Sequence, residues 1–309
     1  MPNYSIKLMA TITSLLLVIT IQSAMAKVVH SERSLYRNII VEDKGDLRCL
    51  KFNVKTTKTR QSCLQKSQPQ QLVFNYTKQL LTALLVNPNP KRVLIIGLGG
   101  GTMSNALHQL YPQSNIDNVE IDQSVIKVAR QYFGFLENSR IATYSQDGRV
   151  FVKRALLKKQ TYDWIILDAF NGDYIPEHLM TAEFLQEVKS LLSSQGVLTA
   201  NTFSSSKLYA YESATYKKVF GDFYQVTNPE NNNRIILAKK NGFTATSLIK
   251  ADALLNNPLL SKQLADIGVN SSQLFRNMKY TKDHQDWDNA SMILTDQFSP
   301  ANLLNMDSN

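Results

Sequence analysis

Two spacings of hydrophobic residues alternate along this chain. Between Arg92 and about residue 240, short apolar runs occur at 93–97, 116–121, 141–144, 163–168, 196–202 and 234–238. Between them, at 101–111, 123–133, 148–157, 181–193 and 206–219, apolar residues recur at helical spacing. Continuous apolar runs fit strands buried on both faces, and the 3.6-residue period fits amphipathic helices. The alternation predicts an α/β fold, a Rossmann-like doubly wound sheet with helices on both faces.

The flanking regions differ. Over 34–65, "SLYRNIIV", "LRCLKFNV" and "RQSCLQ" are β-rich and separated by the polar turns "EDKGD" and "KTTKT". They predict a small antiparallel piece of three strands. A second hairpin pivoting near Thr56 sets Cys49 opposite Cys63, within disulfide range. A bridge, in an exported protein, and two buried free thiols are equally compatible with that pairing. "QQLVFNYTKQLLTALLV" (70–86) has helical spacing and stops before the prolines of "NPNPK". After residue 240 come polar, Asn-rich helical pieces such as "SLIKADALLNNPLL" and "SKQLADIGV". The expected units are an N-terminal β-hairpin domain over 27–68, a Rossmann-like domain over 69–240 and a C-terminal helical extension over 241–309.

Residues 1–26 have Lys7 as their single charge, then an apolar stretch and "AMA" before Lys27. This predicts a secretory signal peptide cleaved after Ala26. The stretch is short for a span, which needs about 20 residues. The expected location is periplasmic or secreted, with an inner-membrane anchor as the alternative.

Length and charge change this picture little. The 309 residues suffice for one large α/β domain with additions, and the net charge of +9 fits a soluble protein. No Lys/Arg run with interleaved aromatics suggests a nucleic-acid groove. His30, His108, His178 and His284 are scattered and the two cysteines form no CxxC, so no metal is expected.

Candidate chemistry gathers at the strand ends. Gly97, Gly99, Gly100 and Gly101 follow the first apolar run and open a helix, a turn that lets an anionic group approach backbone N–H groups. The next strand ends in Glu120, where a carboxylate accepts hydrogen bonds from ribose hydroxyls. The third leads into "QDGR", where Asp147 is a candidate for the adenine amino group and, with Gly148 next, for a helix N-cap. The fourth, "YDWIILDAF", ends in Asp168, a candidate general base, and opens the loop "NGDYIPEHL" with Asp173 and Glu177.

With these motifs in hand, the chain resembles the spermidine synthase (polyamine aminopropyltransferase) family, whose nucleotide fold is of the methyltransferase type. The resemblance spans about 34–240 and rests on "SLYRNIIV", "NPNPKRVLIIGLGGGT", "VEID", "QDG" and "YDWIILDAF". "LDAFNGDYIPEHLMTAEF" and "LTDQFSP" look most like a bacterial spermidine-synthase-like branch. The resemblance implies decarboxylated S-adenosylmethionine as co-substrate and a polyamine such as putrescine, or another small amine, as acceptor. It implies Glu120 at the ribose, Asp147 at the adenine, Gln61 near the nucleoside, Tyr76 in the substrate groove and Asp168 at the attacking amine. A homodimer is compatible with it.

There are departures. Gly100 stands where the family loop carries an acid facing the cofactor amine, and Asn171 where it has a second loop acid, with Asp173 two residues on. Gln70 and Gln71 lie where acids precede the Tyr76 helix, and "NPENNN" shortens a late tyrosine loop. A buried ammonium needs carboxylates, so the nucleoside half of the site matches better than the polyamine half. The alternatives to aminopropyl transfer are methyl transfer from intact S-adenosylmethionine and non-catalytic nucleoside or polyamine binding.

Overall fold

The computed structural model describes residues 26–52, 60–170, 174–227, 232–244, 257–274, 278–288 and 290–300. Two sheets organise the chain. The first is antiparallel, in the order β1 (Lys27–Arg33), β2 (Asn38–Lys44), β3 (Leu47–Phe52), β4 (Arg60–Gln65). It has four strands where the sequence predicts three. The extra strand, "KVVHSER", lies on the sheet edge, and its exposed, mostly polar face hides its period. Ser34–Arg37, expected in a strand, form a turn: the Ser34 hydroxyl accepts from the N–H groups of Tyr36 and Arg37, both at 3.1 Å.

Cys49 pairs with Cys63 across β3 and β4, and the two are joined in a disulfide with Cα atoms 4.1 Å apart. The other face of the sheet is apolar. Ile39, Val41, Leu50 and Leu64 pack on Val125, Val128 and Phe133 of helix α3 (Gln123–Tyr132) and the residue after it, fixing the sheet against the large domain.

The second sheet is mixed and eight-stranded. Its parallel part contains β5 (Arg92–Ile96), β6 (Asn115–Glu120), β7 (Ile141–Ser145), β8 (Tyr162–Leu167) and β9 (Leu192–Phe203), in the spatial order β9-β8-β5-β6-β7. Antiparallel β11 (Asn233–Lys239), β10 (Tyr224–Thr227) and β12 (Met278–Tyr280) extend it beyond β9. Neither β10 nor β12 stands out in the sequence, because runs of four and three residues carry too little periodicity.

Alternate residues of the central strands face opposite cores. Val93, Ile95, Trp164 and Ile166 pack under α1 (Asn75–Leu80), α2 (Thr102–Leu110) and α7 (Pro258–Asp266). Leu94, Ile96, Ile165 and Leu167 pack under α4 (Gly148–Leu157), α5 (Ala182–Leu191) and α6 (Tyr209–Phe220). Burial on both faces is why these strands read as continuous apolar runs. The predicted helix over 70–86 is shorter. Leu72 N–H donates to the Ile267 carbonyl, α1 starts at Asn75, and Leu81–Leu85 tighten into a 3-10 turn before the prolines.

The C-terminal region adds more than helix. "LTDQFSP" closes over the helical face: Leu294 N–H donates to Thr215 Oγ1 at 2.9 Å, and Asp296 pairs with Arg149 at 2.7 Å.

Candidate active site

The parallel sheet changes winding direction between β5 and β8, and the carboxyl ends of those strands open a crevice. Gly97 follows β5 with φ +100°, and a Cβ there would overlap the Asp168 carbonyl. Only a glycine allows the two strand ends to come this close, sealed by Asp168 N–H donating to the Ile96 carbonyl at 2.8 Å. Gly100 is excluded from carrying a side chain for a different reason. Its Cβ would stand 2.7 Å from Ser62 Oγ and 2.9 Å from the Phe133 ring, because the small sheet and α3 press on the loop.

Gly97, Gly99, Glu120, Asp147, Gly148, Gln61, Tyr76 and Asp168 all line one cavity over this crevice. Gly100 and Gly101 lie in the loop just behind it, with Gly101 preceding the first residue of α2. Asn171 and Asp173 lie outside the described residues. The small sheet supplies part of the wall through Arg37, Phe52, Gln61 and Ser62.

Glu120 is 9 % exposed and holds the two loops around it. Its Oε2 accepts from Leu98 N–H at 3.1 Å and its Oε1 from Asp122 N–H at 3.0 Å. Burial pushes its carboxyl pKa up, and the two N–H donors and the Arg37 charge oppose that shift. The second lone pair of each oxygen remains for hydroxyl donors.

Asp147 caps α4, its Oδ1 accepting from Val150 N–H at 2.9 Å. Its Oδ2 lies 2.7 Å from His178 Nε2, and that hydrogen bond holds its pKa below the ordinary value.

Asp168 behaves oppositely. Burial pushes its pKa up to about 7, against the pull of two hydrogen-bond donors, Asn201 and Tyr76. Asn201 Nδ2 donates to Oδ1 at 2.9 Å and Tyr76 Oη to Oδ2 at 3.3 Å. A carboxylate with a pKa pushed up to about 7 at the edge of this cavity can take a proton from a substrate N–H or O–H.

Three wall or contact residues escape sequence reasoning. Arg37 donates through Nη1 to the Phe170 carbonyl at 2.9 Å and lies 4.3 Å over the Phe52 ring. Its buried Nε has no hydrogen-bond partner among the described residues. Its sequence context reads as part of a strand. His178 is one of four scattered histidines. Asn201 carries a signal that could have been used, an amide inside an apolar strand.

Comparison with known proteins identifies relatives of the chain and of its fold. Residues 74–239 match the spermine/spermidine synthase domain. A polyamine aminopropyltransferase of Vibrio vulnificus is 48% identical over 280 residues, covering 90% of this chain and 91% of the relative. The crystal structure of a probable spermidine synthase from Corynebacterium glutamicum superposes with TM-score 0.66 at 22% identity, covering 87% of this chain and 97% of that one. Human methyltransferase-like protein 13 in complex with SAH superposes with TM-score 0.52 at 23% identity, covering 71% and 97%. The chain belongs to the spermine/spermidine synthase family.

Proposed function

We propose that this protein is an aminopropyltransferase that uses decarboxylated S-adenosylmethionine as donor and a small polyamine such as putrescine as acceptor. The observation that carries the reading is Asp168: a buried carboxylate with a pKa near 7, two fixed donors behind it and the nucleoside cavity in front. The nitrogen lone pair of the acceptor attacks the aminopropyl carbon bonded to sulfur. The C–S bond breaks, its electrons stay on sulfur as methylthioadenosine leaves, and the proton shed by nitrogen passes to Asp168. Most of the rate then comes from holding the two substrates in line.

Other roles follow from position. Glu120 accepts from the ribose hydroxyls with its remaining lone pairs, and Asp147 accepts from the adenine amino group beside His178. Gln61 borders the nucleoside and Tyr76 borders the acceptor. Asn171 and Asp173 are assigned to the acceptor from the sequence alone.

A second reading, methyl transfer from intact S-adenosylmethionine, draws on two features. Gly100 has no room for the acid that would meet the donor amine, and Arg37 brings a guanidinium to the wall. The deciding assay offers decarboxylated donor with putrescine, cadaverine or spermidine and measures methylthioadenosine release. In parallel, intact donor is offered and S-adenosylhomocysteine is measured. Methylthioadenosine is the expected product; S-adenosylhomocysteine alone would overturn the aminopropyl reading.

Export completes the proposal. The Cys49–Cys63 disulfide supports it, since such bonds persist in oxidising compartments. Fractionation with N-terminal sequencing tests it: a mature chain beginning at Lys27 outside the cytoplasm is expected, and a cytoplasmic chain retaining residues 1–26 overturns it.

A further inference from the structure

Asp168 does not stand alone behind the cavity. Asn201 Nδ2 donates to Asp168 Oδ1 at 2.9 Å, and Asn233 Nδ2 donates to Asn201 Oδ1 at 2.9 Å. The three side chains form a relay from β11 through β9 to the end of β8. Asn201 is 3 % exposed and sits inside the sheet. A side-chain amide has an acceptor at one end and a donor at the other, and its neighbours decide which way it points. Turned the other way, Asn201 would present its oxygen to Asp168. That arrangement is repulsive toward a carboxylate and favourable toward a protonated acid. In the observed arrangement Asn233 donates to the Asn201 oxygen, a bond that is lost if Asn201 turns alone.

The strands that carry the relay are themselves pinned. Arg234, fully buried, donates through Nε to Thr202 Oγ1 at 2.9 Å and through Nη1 to Ser213 Oγ at 2.6 Å, and pairs with Glu212 at 3.0 Å. These contacts hold the residues next to Asn233 and Asn201 in the pairing Arg234–Thr202 and Ile235–Asn201. Asn233 is also the last residue of the shortened "NPENNN" loop.

We propose that Asn201, oriented by Asn233, is a positioning residue that selects the deprotonated form of Asp168 and fixes its carboxylate toward the attacking amine. The proposal rests on the reading of Asp168 as proton acceptor. Asn201 supplies a charge-assisted hydrogen bond to the ionised form, and Asn233 acts only through it. Without the pair, burial acts with less opposition, Asp168 holds its proton to higher pH, and less of the enzyme is competent at neutrality.

The test compares the wild type with Asn201→Leu, Asn233→Leu and the double variant. Two quantities are read. One is the pH dependence of kcat/KM for the amine. The other is the titration of the Asp168 carboxyl carbon in protein labelled at aspartate, assigned with Asp168→Asn. Asn201→Leu is expected to move both midpoints upward by about one pH unit or more, a tenfold or greater change in proton affinity. Asn233→Leu is expected to move them in the same direction by less, and to add nothing in the Asn201→Leu background. Affinity for methylthioadenosine stays unchanged in all three, which a general loss of structure would not allow. An unmoved carboxyl midpoint in Asn201→Leu, or an Asn233→Leu effect that persists in full in the double variant, overturns the proposal. A carboxyl midpoint that moves while the kcat/KM profile stays fixed upholds the positioning and discards the proton-acceptor role of Asp168 instead.

Discussion

Glu120 and Leu98 are joined from strand end to loop, the Leu98 N–H donating to Glu120 Oε2 at 3.1 Å. The carboxylate proposed to read the ribose therefore also shapes the glycine loop on which the nucleoside would rest. Glu120→Ala is expected to abolish methylthioadenosine binding, since it removes the hydroxyl acceptor and releases the loop together. In the wild type, ligand at 100 times its Kd adds about 2.7 kcal/mol to stability, readable as a rise in Tm. An equal rise in Glu120→Ala would discard the ribose role.

Asp168→Asn keeps the shape of the side chain and removes the proton acceptor. Turnover is expected to fall by about 10²–10⁴-fold, the usual contribution of a positioned acid–base group. Nucleoside affinity should change little. In the wild type, kcat/KM should climb as pH rises toward about 7, where Asp168 loses its proton. Turnover in Asp168→Asn close to that of the wild type would show that the chemistry lies elsewhere.

The same group predicts a stability change of known sign. Its pKa is about 7 when folded against an ordinary 3.8. Between those values the folded state keeps a proton that the unfolded chain has released. The stability contribution is complete below the ordinary value and is lost as pH rises through about 7. Asp168→Asn should therefore gain on the wild type in alkaline solution and not in acid, by at most about 4 kcal/mol. Urea titrations at several pH values measure the difference, and a pH-independent one would mean that the carboxyl is not desolvated.

Tyr76 gives Asp168 its second, longer hydrogen bond, 3.3 Å against 2.9 Å from Asn201. Tyr76→Phe should shift the acid limb of kcat/KM upward, by less than Asn201→Leu does, and should raise KM for the amine. A downward shift would contradict the direction of this hydrogen bond's effect.

The Cys49–Cys63 bond closes a short loop, so its removal should cost the low end of about 2–4 kcal/mol. Denatured protein should resist alkylation until a reductant is added. Two thiols labelled without reductant would remove the bond and with it the main support for export.

The parallel core was legible because its strands are buried on both faces and its helices on one, so that Val93–Ile96 and Ile165–Leu167 carry their environment in their composition. Glycines, Glu120, Asp147 and Asp168 were legible because they fall at the ends of those strands, where topology alone brings them together. What lay hidden depends on long-range contacts. Arg37 reaches the cavity only because its sheet docks on α3. Asn201 meets Asp168 because neighbouring parallel strands end side by side. His178 finds Asp147 across 31 residues of chain. The edge strands β1 and β12, and the four-residue β10 between β12 and β11, are paired through the backbone, which no side-chain pattern records.

Gln61 and Ser62 stand on the cavity wall immediately before Cys63, on the ribbon that the disulfide ties to its neighbour. Binding and covalent cross-linking thus act on one stretch of backbone. Coupled equilibria are reciprocal. To whatever degree the closed bond raises affinity for the nucleoside, an occupied cavity makes that bond harder to reduce by the same factor. Where that factor exceeds one, the loaded protein holds the larger oxidised fraction at any given thiol poise.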